Sequence, residues 1–266
     1  MSTPTKRAGS DDVSSRVVPL PRDQARAAAD TLARAFAADA TWGLVLPDEA
    51  ERRRVLPLVW RALVHYSLAN GVVLTPPAID GVACLLPADR SRVTAWRDLR
   101  TGLGFCRVIL SLSAASRRRF LGVWPRIDAL RREAIPRRHG YLWALGVEPR
   151  AQQRGVGGAL VEAACARCDE AAVPCVLETE SARTVGFYER RGFRVVRAET
   201  IEPAGVRVFL LVREPLRPPE RVGTADQHDA ARRVDIADQH DAARRADTAH
   251  QHDAARRADI AHQHDA

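Results

Sequence analysis

The 266-residue chain carries 41 basic and 33 acidic residues, a net charge of +8, and Lys6 is its only lysine. That length suffices for a sizeable core, and no uncharged apolar run reaches the ~18 residues of a spanning helix, which sets a transmembrane protein aside. Five cysteines, an odd number without a secretory apolar segment, exclude a disulfide framework and predict a reduced, cytoplasmic chain.

The charge is unevenly spread. Residues 220–266 hold seven arginines against ten acidic groups, which leaves +11 on everything before them. A basic surface suits nucleic acid, an anionic membrane or an acidic ligand such as a coenzyme. Arginine in place of lysine, with abundant Ala, Val and Pro, also follows from GC-rich codon usage. No clustered basic-aromatic stripe marks a nucleic-acid surface, so neither nucleic acid nor membrane is the expected partner.

In chain order, residues 1–15 are polar and aperiodic and predict a disordered tail. RVVPL at 16–20 reads as a short strand, with Pro19 placing it at an edge. From Asp23, the spacing of Ala27, Leu32, Ala35 and Phe36 predicts a helix. WGLVLP at 42–47 reads as a loop rich in large apolar groups. Asp48 and Glu51 start a helix over 49–70, which Pro57 is expected to kink or split and Asn70-Gly71 to end. Residues 72–75 and 81–86 read as a hairpin around PPAID. Residues 88–138 form a mostly helical insertion.

The apolar run YLWALGV at 141–147 predicts a buried strand. After a Pro-containing turn, Gly155, Gly157 and Gly158 lead into a helix whose apolar face includes Val156, Leu160, Ala163, Ala164 and Cys168. VPCVLETE at 173–180 is a second strand, Ser181 to Thr184 starts a helix, and GFYERRGF at 186–193 turns from a short helix into another strand. A turn at 200–205 and a strand at 206–212 close a domain spanning 16–217. Cys165 and Cys168 fall mid-helix, away from the N-terminus that lowers a redox thiol's pKa, and read as packing residues. From 218 the chain is a twelve-residue repeat, near-copies of A-D/H-Q-H-D-A-A-R-R-x-D-x. Its apolar content cannot bury a stacked core, so a low-complexity disordered tail is expected. Six of the eight histidines sit there, and metal binding by His250, His252, His262 and His264 stands as the alternative to a solvated tail.

Strand, glycine turn and helix together make an anion site. The first turn of a helix leaves amides without intrahelical partners, and glycines let a phosphate approach them. Arg150 and Arg154 flank it. A nucleotide P-loop requires Lys-Ser/Thr after the last glycine, where Ala159-Leu160 stand here; a dinucleotide fingerprint requires GxGxxG, where the chain has only GxGG. The pattern that fits is Q/R-x-x-G-x-G/A, filled by Gln152, Gln153, Arg154, Gly155, Val156 and Gly157. With the later YERRGF segment, it resembles the pyrophosphate motif of the GCN5-related N-acetyltransferase (GNAT) superfamily. The resemblance covers 141–215 closely and 16–215 overall.

The resemblance implies an α/β fold with a mixed, mostly antiparallel central sheet flanked by helices. It also implies acetyl-CoA as co-substrate, no metal, and transfer of acetyl to a primary amine by direct attack in a ternary complex. Leu145 and Val147 would hold the pantetheine arm and thioester carbonyl. Gln152, Arg154, Gly155, Gly157 and Gly158 would hold the pyrophosphate. Thr184 stands where many members have an arm-binding Asn. Tyr188 would protonate the leaving thiolate, since a phenol and a thiol have similar pKa values. Its alternative is a phenol packed on the sheet. Some members carry a basic Glu on the first strand; Trp143 occupies that position here, leaving Glu178, Glu180, His139 or water, with Glu178 the first choice. The insertion would line the acceptor side with Trp96, Phe105, Phe120 and Trp124, or these are ordinary core residues. The acceptor would be a small-molecule or peptide amine and the protein a monomer or homodimer. An acyl-CoA-binding module without turnover is the second reading.

Overall fold

The branched and apolar runs of the sequence pair into a seven-stranded sheet, seen in a computed structural model that describes residues 17–202 and 204–216. The strands are β1 (Val18–Pro19), β2 (Val72–Thr75), β3 (Gly81–Leu86), β4 (Gly140–Val147), β5 (Cys175–Thr179), β6 (Arg194–Ile201) and β7 (Val206–Arg213). Their order is β1-β2-β3-β4-β5-β7-β6, and the β4/β5 pair is the parallel one in an otherwise antiparallel sheet. The helices are α1 (Ala25–Ala35), α2 (Ala40–Val45), α3 (Glu49–Asn70), α4 (Ala95–Arg100), α5 (Gly104–Ser111), α6 (Ala114–Ala134), α7 (Val156–Glu170) and α8 (Ala182–Glu189). None is long and apolar enough among the described residues to cross a membrane. The expected tails at 1–15 and 218–266 lie outside the described residues.

Two-residue alternation along each strand divides the core between the sheet's faces. Val73, Val82 and Cys84 pack with α1, α3 and α6, while Leu74, Ala83 and Leu85 pack with α7. β1 is the short edge strand that Pro19 predicts.

Two local expectations fail. Residues 42–47 are not a loop: Ala40–Val45 is helical because the Asp39 carboxylate accepts from the Thr41 amide at 2.9 Å, which starts a helix that buries Trp42 and Val45. Pro57 does not split α3, which runs unbroken for 22 residues. Pro57 and Arg53 both lie on its exposed side, so the carbonyl that loses its amide partner meets water. The start is as expected, with the Asp48 carboxylate accepting from the Glu51 amide at 2.6 Å. Glu51 itself reaches across to the insertion. Its carboxylate accepts from the Ser113 amide at 2.5 Å and the Ser116 hydroxyl at 2.6 Å, fixing the start of α6 against α3.

Candidate functional site

β4 and β5 pair only at Gly140–Cys175 and Tyr141–Val176. Beyond Tyr141 the strands diverge, so the β5 side of Leu142–Val147 has no strand partner. β4 stays held from its other side by β3, with Leu145 opposite Ala83 and Val147 opposite Gly81. The Arg34 guanidinium donates to Glu148 at 2.8 Å and ties the strand's end to α1.

The glycine turn stands at the mouth of this wedge. Gly155 caps α7 at φ +88°, a left-handed conformation, and a Cβ there would meet nothing within 4 Å. The amides of 153–158 take no turn or cap bond among the described residues, and Gln152 to Gly155 are exposed. The donors of 153–155 are therefore open to an anion, while Val156 and Gly158 are buried at the start of α7. Arg154 is exposed beside them. Gly157 faces Val147 and Phe187, and a Cβ on Gly158 would sit 2.4 Å from the Arg191 guanidinium, which also stacks on Phe187 at 4.0 Å. Sequence reading missed Arg191. The Gln152 side-chain amide donates to the Val147 carbonyl at 3.1 Å, across the wedge mouth.

Deeper in, the wedge opens into a cavity of about 470 Å³ lined by Leu145, Glu178, Glu180, Thr184 and Tyr188. Of the sequence-derived site residues, these share one chamber, whereas Val147, Gln152, Arg154, Gly155, Gly157 and Gly158 lie at its mouth or beyond. Thr184 is committed locally: its hydroxyl bonds Thr179 Oγ1 at 2.6 Å and donates to the Ser181 carbonyl at 2.9 Å, securing the start of α8.

Glu178 on β5 and Glu180, one residue past its end, both line the chamber. Glu178 is engaged. One oxygen accepts from the Tyr141 hydroxyl, and the other lies 3.7 Å from Arg131, whose guanidinium also bonds Asp128 at 2.5 Å and stacks over the Tyr141 ring at 3.6 Å. Burial pushes Glu178 up against the opposing pull of Arg131 and Tyr141, and it pushes Tyr141 well above its usual value, so the phenol stays a donor. Arg131 resists burial through Tyr141, Glu178 and Asp128 and stays charged. Glu180 has no side-chain partner among the described residues. Burial first, then the neighbouring Glu178 charge, raises it to about 8.

Tyr188 is 8% exposed between Phe187 and Phe193, with ring centroids at 5.0 and 5.8 Å. Its hydroxyl has no hydrogen-bond partner among the described residues. Burial, then Glu180, raises its pKa, so it is a protonated donor at neutral pH. His139 bonds the Arg137 carbonyl at 2.8 Å, is held neutral mainly by burial, and does not line the chamber.

The insertion supplies Phe105, Phe120 and Trp124 to the chamber wall as expected, but Trp96 is 64% exposed and does not reach it. Phe36, Trp42 and Trp60, from the N-terminal helices, were not expected there. Arg131 carried a readable signal: it lies on the same stripe of α6 as Phe120, Val123, Ile127 and Leu130, where a lone charge requires a buried partner. Cys165, Cys168 and Cys175 are free and buried in the core under α7. Among the described residues no group of three or more His, Cys, Asp or Glu could hold a metal ion.

Residues 119–193 match the acetyltransferase (GNAT) family model. Among solved structures, the histone acetyltransferase HPA2 and related acetyltransferase from Corynebacterium glutamicum ATCC 13032 is 21% identical, covers 77% of this chain and 98% of its own, and superposes with a TM-score of 0.51. That likeness is one of fold. A structure described as an acetyltransferase is 18% identical over 74% of this chain and 98% of its own, with a TM-score of 0.48. The ribosomal-protein-S18-alanine N-acetyltransferase from Escherichia coli is 14% identical over 77% and 97%, with a TM-score of 0.42.

Proposed function

We propose that this chain, which carries the family signature over 119–193 and the fold of the GCN5-related acetyltransferases, transfers acetyl from acetyl-CoA to a primary amine by direct attack. The observation that carries the proposal is the wedge between β4 and β5, with open amides at its mouth and Tyr188 and Glu180 in the chamber behind it. In this reading the amides of 153–158, with Arg154 and Arg191, bind the pyrophosphate at the helix N-terminus. The unpaired backbone of Leu145 to Val147 takes the pantetheine amides and steadies the thioester carbonyl, with the Gln152 amide yielding the Val147 carbonyl.

Glu180 is the better of the two carboxylates as proton acceptor. Glu178 is occupied by Tyr141 and Arg131 and serves to raise the proton affinity of Glu180. A base near pH 8 is matched to an amine, which must be neutral to attack. As the new C–N bond forms and the C–S bond breaks, the nitrogen's proton passes to Glu180 and the sulfur takes one from the Tyr188 hydroxyl. Solvent then returns a proton to the phenolate and removes one from Glu180. No covalent enzyme intermediate is required.

A non-catalytic acyl-CoA-binding module is the second reading, favoured by Trp143 where a carboxylate is expected and by the committed hydroxyl of Thr184. Thiol release from acetyl-CoA across a panel of amines separates the two. Turnover with any amine supports transfer; tight acetyl-CoA binding with no release on any amine supports the module.

A further inference from the structure

Five rings form a connected belt around the chamber. Phe36 stacks on Trp60 at 4.5 Å, Trp42 meets Trp60 at 5.7 Å and Trp124 at 5.3 Å, and Trp124 meets Phe120 at 5.9 Å. All five side chains line the cavity, together with Val59 and Leu63 of α3. Its charged groups are Asp39, Asp128, Arg131, Glu178 and Glu180, and most are spoken for. Asp39 caps α2, Asp128 pairs with Arg131, and Glu178 accepts from Tyr141. Arg131, the single cation lining the cavity among the described residues, is shared by Asp128 and Glu178. Glu180 is the lining carboxylate that no side chain engages among the described residues.

We propose that this chamber takes a primary amine carried on an aromatic or similarly bulky apolar body, with the ammonium end at Glu180 and the body within the ring belt. This deepens the acetyl-transfer reading and rests on it for the reaction, though not for binding. The volume of about 470 Å³ falls within the ~300–1,000 Å³ of small-molecule sites. Rings accept a flat apolar body and attract a cation over their faces. The partnerless atoms they carry among the described residues, the indole N–H groups of Trp60 and Trp124, are donors, so a second ammonium group buried among them finds no acceptor and loses roughly tenfold in affinity. Glu180, beside the Glu178 charge and in a cavity whose lining arginine is shared by Asp128 and Glu178, repels a carboxylate on the acceptor.

The test uses the full chain at saturating acetyl-CoA and reads thiol release with phenethylamine, tryptamine, phenylalanine, spermidine and a short lysine peptide. Phenethylamine and phenylalanine differ only by a carboxylate. The expected result is a kcat/KM for the two aromatic amines at least tenfold above that for spermidine, the peptide and phenylalanine. A preference for spermidine or the peptide overturns the proposal, as does equal use of phenylalanine and phenethylamine. Binding of phenethylamine alone, followed by quenching of the chamber tryptophans, keeps the two claims separable. Saturable quenching that Trp124→Ala weakens about tenfold supports the chamber even if no amine is acetylated, an outcome that would sink only the transfer reading. Absence of saturable quenching together with absence of turnover on aromatic amines overturns the chamber. Should Trp124→Ala fail to fold, Glu180→Gln, which keeps the side chain's shape, is expected to lose at least fivefold of the discrimination between phenethylamine and phenylalanine in either assay. Unchanged discrimination contradicts the role given to Glu180.

Discussion

Replacing Glu180 by Gln keeps the volume of the side chain and removes its ability to take a proton. Three acidic groups influence or lie beside this carboxyl, Glu178 two positions back on β5, Asp39 at the start of α2 and Tyr188 on α8, and burial and Glu178 dominate in raising it to about 8. A base works only in its ionised form. With a value of about 8, roughly one molecule in eleven is ionised at pH 7 and about ten in eleven at pH 9, so kcat/KM should climb about tenfold over that interval. The assay is thiol release with a weakly basic aromatic amine, neutral across the whole range, so that the limb reports the enzyme and not the acceptor. Glu180→Gln is expected to cost ~10²–10⁴-fold at pH 9 and to abolish the limb. A variant that keeps the same limb, or loses less than fivefold in rate, refutes the assignment. The same shift has a stability consequence of definite sign. The folded value lies above the ordinary carboxyl value of 4.5, so the folded state holds the proton more tightly and stability falls as pH rises from about 4.5 to about 8. In urea melts, Glu180→Gln should flatten that slope.

Tyr188→Phe should lower kcat ~10²–10⁴-fold while leaving acetyl-CoA affinity within about threefold, because the ring packing against Phe187 and Phe193 survives; calorimetry and steady-state kinetics read the two separately. Gly155→Ala places a Cβ at φ +88°, costs ~1 kcal/mol in urea melts through backbone strain, and narrows the approach to the amides, so acetyl-CoA binding weakens as well. Glu51→Ala leaves the Ser113 amide and Ser116 hydroxyl without their acceptor where α6 meets α3, and should cost ~1–3 kcal/mol in the same melts. Tyr141→Phe strips Glu178 of its donor, so the Glu180 limb should shift; an unchanged pH profile would show that the two carboxylates do not communicate.

The strand, glycine turn and helix at 140–170 were legible because their geometry is local. Strand, glycine and helix follow one another in sequence, and their backbone amides need no distant partner. The same holds for the hairpin at 72–86 and for the capping of α3 by Asp48, which the sequence placed to the residue. What failed to show was set by contacts over long separations. Trp42 looked like a loop residue until Asp39 capped the short helix carrying it and Trp60 and Trp124 packed against it. Glu178 was readable as a strand carboxylate, but not its surroundings: Tyr141, 37 positions earlier, donates to one oxygen, and Arg131 of the insertion lies 3.7 Å from the other. Trp96 had the composition of a wall residue and none of the geometry, since nothing in the α4 sequence tells whether its ring turns inward.

The account depends above all on the amides at 153–158 gripping a diphosphate. Calorimetric titration of the protein with acetyl-CoA, and in parallel with acetyl-pantetheine, which lacks the pyrophosphate and nucleotide, tests that claim most directly. Saturable heat with acetyl-CoA, at least a hundredfold weaker binding of acetyl-pantetheine, and a loss in Gly155→Ala confined to the diphosphate ligand are the predicted result. Equal affinity for the two ligands, or no heat from acetyl-CoA, would contradict it.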